Sequence, residues 1–268
     1  LRSESSAVRP FRRLATGAAL AAGLAACGPA AIPSDINDPY EAHNRRVHDF
    51  NTRIDRTFFG PSSEAYGSVI PEPVRQTVRN VAVNLDLPRM VVNDLLQGNL
   101  EDALANSFRF ALNSTFGLAG LLDPATELGL PERDTDFGET LHVWGFREGR
   151  YLVLPVTGPS TERDAFGKVV DFGLNPLNFV LPDAERNAVT ALQLFSRFGD
   201  RYQFSGTVES ILYESADSYA QARILYLQNR RFELGGDEGT SNEDIYADPY
   251  LDPYADPYAD PYADPYAE

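Results

Sequence analysis

Residues 42–59 read AHNRRVHDFNTRIDRTFF, and Val47, Phe50, Ile54 and Phe58 fall at steps of three and four. That spacing predicts a helix with one apolar face and an Arg- and Asp-rich face opposite. Asp38-Pro39-Tyr40-Glu41 has the composition of its start: an acid at the N-cap, Pro in the first turn and Glu three residues on. The pattern recurs over 74–85 through Val74, Val78, Val81 and Leu85, and residues 90–96 form a third helical patch stopped near Gly98. Asn99 is placed to cap a long segment in which Phe108, Leu112 and Phe116 stack at i, i+4. GLAGLL, residues 117–122, then continues as a tip apolar on all sides and ends at Asp123-Pro124, which is unusual for a helix facing water. Residues 129–159 have no clean helical period. Within them Tyr151-Leu152-Val153-Leu154-Pro155-Val156 reads as a short strand or an extended loop, and Pro155 argues against a central strand. Residues 187–202 and 207–232 predict two more helices, with Leu212, Tyr219 and Tyr226 on one face at seven-residue intervals. The expectation is a mainly α domain over residues 38–235.

Both ends differ from this core. Arg9, Arg12 and Arg13 precede a 13-residue apolar run over 14–26, too short to span a bilayer comfortably. Basic residues, a short apolar run and small residues make an export signal. Its last four positions, Leu24-Ala25-Ala26-Cys27, resemble a lipobox, so residues 1–26 are expected to be a lipoprotein signal peptide and 27–37 a lipidated linker. Cys27 is the single cysteine of the chain. The resemblance implies that its sulfur takes a diacylglycerol and its freed amine a further acyl chain. More than one chain is needed, since a single acyl chain binds a membrane only marginally. Gly28 follows Cys27 where inner-membrane lipoproteins of enteric bacteria usually carry Asp, which favours the outer membrane. After Gly235 the core pattern stops, and five Asp-Pro-Tyr copies begin at Asp248, Asp252, Asp256, Asp260 and Asp264. Proline at every fourth residue blocks helix and the acids repel one another, so 236–268 is expected to be an acidic, disordered tail.

Composition narrows the function. A formal net charge of −16 makes nucleic acid an unfavourable partner, because phosphates call for surplus Lys and Arg. One cysteine excludes an intramolecular disulfide and any multi-Cys metal site. His43 and His48 are five apart, which sets them on different helix faces, unlike the i, i+4 pair of a zinc helix. No G-x-S-x-G marks an esterase nucleophile, and the residue after Lys168 is Val where a phosphate loop needs Ser or Thr. The residues therefore point to no catalytic group, no metal and no small-molecule cofactor, and the chain is not read as an enzyme.

A series of short motifs resembles the MlaA (VacJ) family of outer-membrane lipoproteins. Asp38-Pro39-Tyr40-Glu41 with Asn44-Arg45 and Phe50-Asn51 opens it, followed by Val69-Ile70-Pro71-Glu72-Pro73 and Asn84-Leu85 with Pro88. Asn93-Asp94-Leu95-Leu96-Gln97-Gly98, Arg109-Phe110 with Asn113-Ser114-Thr115-Phe116-Gly117, Arg133-Asp134 with Asp136-Phe137-Gly138, and Trp144-Gly145 come next. The most specific block runs from Tyr151-Leu152-Val153-Leu154-Pro155 through Gly158-Pro159-Ser160 to Arg163-Asp164, with Asn175-Pro176-Leu177 after it. The Asp-Pro-Tyr tail lies outside that pattern.

The resemblance implies a ring-shaped, amphipathic helical domain lying in the inner leaflet of the outer membrane, anchored on its periplasmic side. Phospholipids that have strayed into the outer leaflet would pass through its channel. The implied partners are phospholipid, a trimeric porin and a periplasmic lipid carrier of the MlaC type. Independently, no segment after Cys27 reaches the ~20 apolar residues of a spanning helix, while 116–122 is apolar enough to lie in lipid. Phe116, Leu118, Leu121 and Leu122 are expected to touch acyl chains, or else to form a buried core hairpin. Tyr151, Leu152 and Leu154 are candidate lipid contacts, and Gly158-Pro159-Ser160 is turn chemistry. Arg45 and Arg163 are candidate phosphate contacts, with salt bridges to nearby acids as the alternative. A structural lipoprotein that bridges porins and periplasmic partners without moving lipid is the competing function.

Overall fold

The computed structural model describes residues 30, 32–33 and 35–235. The signal segment, Cys27 and the Asp-Pro-Tyr tail lie outside the described residues. The chain divides into two units, residues 1–226 and 227–268.

The first unit is mainly helical, as the periodicity requires. Helix α1 (Glu41–Ile54) runs through a π turn (Asp55–Phe59) into α2 (Gly60–Val69). Asp38 does not cap it: Tyr40 holds the N-cap position without a side-chain bond. The Asp38 carboxylate instead accepts from Asn44 Nδ2 at 2.9 Å, from Arg223 and from the Tyr219 hydroxyl. Helix α3 (Glu72–Gln97) joins the two segments expected over 74–85 and 90–96, and it carries Pro88 in its interior. An interior proline costs a helix about 3 kcal/mol, so packing holds this one together: α3 lies along α4 (Leu100–Thr115) and buries Leu87 and Met90 on either side of the proline. Gly98, at φ 77°, ends α3 in the left-handed region that glycine takes without strain. Asn99 then caps α4 by accepting from the Asp102 amide, as its position predicts.

Residues 117–122 are not a continuation of that helix. Leu118 and Ala119 have φ 54° and 61°, Gly120 follows at 91°, and the turn folds back so that the Leu122 amide donates to Gly117 O at 3.0 Å. After it come a single turn α5 (Pro124–Glu127) and α6 (Phe137–Val143), a helix in the stretch where no period was visible. Asp136 caps α6 by accepting from the Glu139 amide at 2.8 Å.

The extended reading of 151–154 is correct as an edge hairpin. Strand β1 (Tyr151–Leu154) pairs antiparallel with β2 (Gly158–Thr161), Tyr151 opposite Thr161 and Leu154 opposite Gly158, and Pro155 falls just past the strand. The outer edge of β1 is covered by two asparagines of α1. Asn44 donates to Tyr151 O and accepts from the Val153 amide, both at 3.1 Å. Seven residues on, Asn51 donates to Leu154 O at 2.9 Å and accepts from the Val156 amide at 2.8 Å. A primary amide offers the same donor and acceptor as a peptide group, so two side chains replace a third strand.

The second half of the unit holds α7 (Glu162–Leu174), a helix that was not expected, capped by Thr161, then the turn α8 (Leu177–Val180) and α9 (Asp183–Gln203). The helix expected over 207–232 is broken into α10 (Ser205–Glu209), a π turn (Ser210–Glu214) and α11 (Ser218–Glu233), so Leu212 does not share a continuous helix with Tyr219. Tyr219 and Tyr226 do share a face, and both rings pack on Tyr151 at 6.1 and 6.3 Å. Phe58, Phe59 and Phe195 surround Phe198 with centroids 5.8–6.4 Å away, which fastens α9 to the π turn. Of the second unit, the described residues contain the last turns of α11, where Arg230 pairs with Glu233 at 3.1 Å.

Candidate functional site

The distribution of polarity is inverted along α4. On α4 the inward residues are Ala103, Asn106, Arg109 and Asn113, while Leu100, Leu104 and Phe108 face out. Arg109 is 1% exposed and its neighbour in sequence Phe108 is 60% exposed. Most of the inward polar groups are bonded: Arg109 reaches Leu130 O, Thr126 and Asp123, and Asn113 donates to Asp123 at 2.8 Å, while Arg109 Nε and Asn106 Oδ1 are buried without a hydrogen-bond partner among the described residues. Burial pushes the Asp123 carboxyl up, but bonds from Thr126 and Asn113 and the Arg109 charge hold it below the ordinary carboxylate range. Polar positions inside and apolar positions outside is the reverse of a water-facing helix.

That outer face continues into the expected lipid-contact residues. Phe116, Leu118, Leu121 and Leu122 are all exposed, so they do not form a buried core hairpin. Phe116 and Leu122, with Leu112 and Leu128, line an apolar groove of about 830 Å³. Among the described residues no helix is long and apolar enough to cross a membrane.

A second cavity of about 890 Å³, open to water, is walled by α3, the 132–136 segment, β1, α7 and α9. Its lining combines an apolar set (Val83, Met90, Leu154, Val169 and Phe172) with a charged set, and Thr157, Gln193 and Ser196 are neutral and polar. Arg89 is the fixed point of the charged set. Its guanidinium is gripped by Asp86 at 2.9 and 2.6 Å, donates to Thr135 O at 2.9 Å and lies 3.4 Å from Asp171. Burial works against the Arg89 charge, but Asp86, Asp171 and Asp134 outweigh it and keep it protonated. Asp171 in turn accepts from Asn93 at 2.8 Å and from the Phe137 amide at 3.0 Å, which ties α3, α6 and α7 into one wall. A smaller hollow of about 180 Å³ shares Asp86, Arg89, Asp171 and Phe172 with the large one.

Asp134 projects into this space accessible to water yet surrounded by protein, as a group on a concave wall is. Burial raises its pKa to about 6; Arg89 opposes the shift, and Glu132, Asp136 and Asp86 add to it.

The remaining expected residues fall in different places. Leu154 lines the large cavity; Leu152 is half-buried outside its lining; Tyr151, 2% exposed, belongs to the aromatic core. Both arginines expected as phosphate contacts are in ion pairs. Arg45 is clamped by Asp217 at 2.9 and 2.8 Å and by Glu41, with its guanidinium over the Tyr219 ring. The bond from Arg45 holds the Asp217 carboxyl down at about 2. Arg163 is buried beside Asp164 at 3.2 Å. The cavity residues Asp86, Arg89, Asp171 and Arg197 were not singled out from the sequence. The usable signal is Asp86 and Arg89 on either side of Pro88, a charged pair inside an otherwise apolar helical stretch.

The model of the MlaA lipoprotein family matches residues 36–233. An uncharacterized protein of Rickettsia felis is 33% identical over 190 residues, 70% of this chain and 74% of the relative. Intermembrane phospholipid transport system lipoprotein MlaA of Escherichia coli is 30% identical over 229 residues, 84% of this chain and 88% of the relative. Its namesake in Haemophilus influenzae is 36% identical over 142 residues, covering 52% and 56%. A solved structure described as "Structural basis for maintenance of bacterial outer membrane lipid asymmetry" superposes with a TM-score of 0.62 at 28% identity, over 74% of this chain and 98% of that one. By the family match, the ordered motifs and this structural likeness, the chain belongs to the MlaA lipoprotein family.

Proposed function

We propose that the protein removes phospholipid misplaced in the outer leaflet of the outer membrane, passing it through the 890 Å³ cavity towards the periplasm and so maintaining lipid asymmetry. The observation that carries the reading is a cavity lined by both apolar and charged side chains, in a domain that also exposes a face of Leu and Phe. A phospholipid offers the same two kinds of surface, acyl chains and a charged headgroup. Exposed apolar area is stabilised by acyl chains at roughly 25 cal/mol per Å² removed from water, so residues 116–122 favour a position in the leaflet. The names of the E. coli and H. influenzae relatives support phospholipid transport, and the solved neighbour supports the outer membrane as the setting.

In this reading Cys27 carries N-acyl diacylglycerol and anchors the chain on the periplasmic side. A trimeric porin stands beside it, and a carrier of the MlaC type receives the lipid. No bond of the lipid is made or broken, and the protein acts by holding a path open.

The test is to delete the gene and measure surface-exposed phospholipid on intact cells with a headgroup-reactive probe, complementing with wild type or Cys27→Ser. Exposure that rises on deletion and falls only with the acylatable form supports an anchored lipid passage. Unchanged exposure on deletion rejects it and leaves the bridging lipoprotein as the function.

A further inference from the structure

The large cavity carries more charge than a passive lipid path requires. Six carboxylates line it, and four are committed within the fold: Asp86 and Asp171 hold Arg89, Asp200 pairs with Arg79, and Asp136 caps α6. Of its three basic groups, Arg89 is held in the same way and Lys168 donates to Ser160 Oγ at 3.2 Å. What remains is Glu132 and Asp134 on one segment and Arg197 on α9, none with a hydrogen-bond or ion-pair partner among the described residues. Arg89 acts on Asp134 but is already bonded to Asp86, so neither Glu132 nor Asp134 has a cation bonded to it, and the two carboxylates repel each other. A guanidinium on another wall element is, in turn, suited to a phosphate.

We propose that the cavity selects phospholipid whose headgroup is a zwitterion: Glu132 and Asp134 receive its ammonium, and Arg197 receives its phosphate. The inference rests on the lipid-passage reading and adds the headgroup class to it. An anionic headgroup without an amine satisfies Arg197 but leaves both carboxylates facing added negative charge, which is how a site rejects a wrong ligand. At Asp134 burial and the charges of Glu132, Asp136 and Asp86 outweigh Arg89, so a further cation there is favoured.

The test uses the full chain in detergent, with a photo-reactive benzophenone side chain in place of Phe172, whose ring lines the cavity. Mixed micelles hold equal amounts of phosphatidylethanolamine and phosphatidylglycerol, buffered at about pH 8 so that Asp134 is ionised. Crosslinked lipid is then identified by mass spectrometry. Water-accessible charge pairs are individually weak, so the wild type is expected to favour phosphatidylethanolamine by roughly three- to fivefold. E132Q/D134N brings that ratio to about one, and R197Q lowers the yield with both lipids. Equal crosslinking of the two lipids by wild type, a preference that survives E132Q/D134N, or an unchanged yield with R197Q overturns the proposal and leaves lipid passage standing. No lipid crosslinked from position 172 overturns both.

Discussion

Asp134 shows how one side chain reports the character of the cavity. Its carboxyl titrates near 6 in the fold and near 4 in an unfolded chain. Between those values the folded protein binds more protons than the unfolded one, so stability falls as pH rises through the window. The cost of the charge is absent below about pH 4 and complete above about pH 6. D134N removes it, so the variant melts above wild type at neutral and alkaline pH, and the two melting curves merge below about pH 4. Because water reaches this carboxylate, the gain is at most about 1 kcal/mol, or roughly 2–4 °C in Tm. Thermal unfolding at several pH values checks this, and a difference that persists at low pH would point to packing instead of charge. The sequence does contain Asp134 in a family motif, but its neighbours in space are not its neighbours in the chain. Arg89 lies 45 positions away, and nothing in local composition brings it there. The same holds for Asn44 and Asn51, recognisable as motif residues but with a role defined by a strand about a hundred positions on.

At the scale of elements, periodicity located α1, α3, α4 and α9, and the caps at Gly98 and Asn99 followed from residue type alone. It did not show which face points inward. Helical spacing marks an apolar side whether that side meets protein or lipid, and on α4 it meets the exterior. Short elements such as α6 give too few turns for a period to emerge, and α7 has glycine on its packed face. That glycine makes a prediction. A Cβ on Gly167 would sit 2.5 Å from the backbone nitrogen of Gly138, where α7 crosses α6. Backbone cannot move aside as a flexible side chain does, so G167A is expected to lose about 3 kcal/mol in urea unfolding, and a loss under 1 kcal/mol would mean the helices are not so close. The turn at 118–120 predicts opposite signs at adjacent positions. Ala119 holds a left-handed φ that glycine takes freely, so A119G is expected to gain about 0.5–1 kcal/mol after the extra chain entropy of glycine is deducted. G120A strains the backbone and sets a Cβ 2.8 Å from Asn84 Cβ, for a loss of roughly 2 kcal/mol. Equal effects of the two substitutions would show that the turn relaxes out of the left-handed region.

At the scale of the first unit, the outward apolar face lies on α4 and the turn after it, while the charged cavity is lined by α3, the 132–136 segment, β1, α7 and α9. Removing a leucine from the outer face tests the surroundings but not the passage, whereas filling the cavity tests the passage alone. Ala165 is suited to this, since it lines the large cavity from α7 and is only half-buried. In A165W the indole extends into open space, so the free energy of urea unfolding should stay within about 1 kcal/mol of wild type. Cys27 and the outer face are untouched, so the protein should still reach the membrane in normal amount. Lipid passage then predicts that A165W fails to lower surface phospholipid in a deletion strain, by the same probe used for Cys27→Ser. A protein that lowers surface phospholipid only through contacts on its exterior predicts the opposite, because those contacts do not register what fills the cavity. Full complementation by a stable, membrane-bound A165W would therefore remove the cavity from the mechanism, while failure at normal stability and abundance ties the movement of lipid to that space.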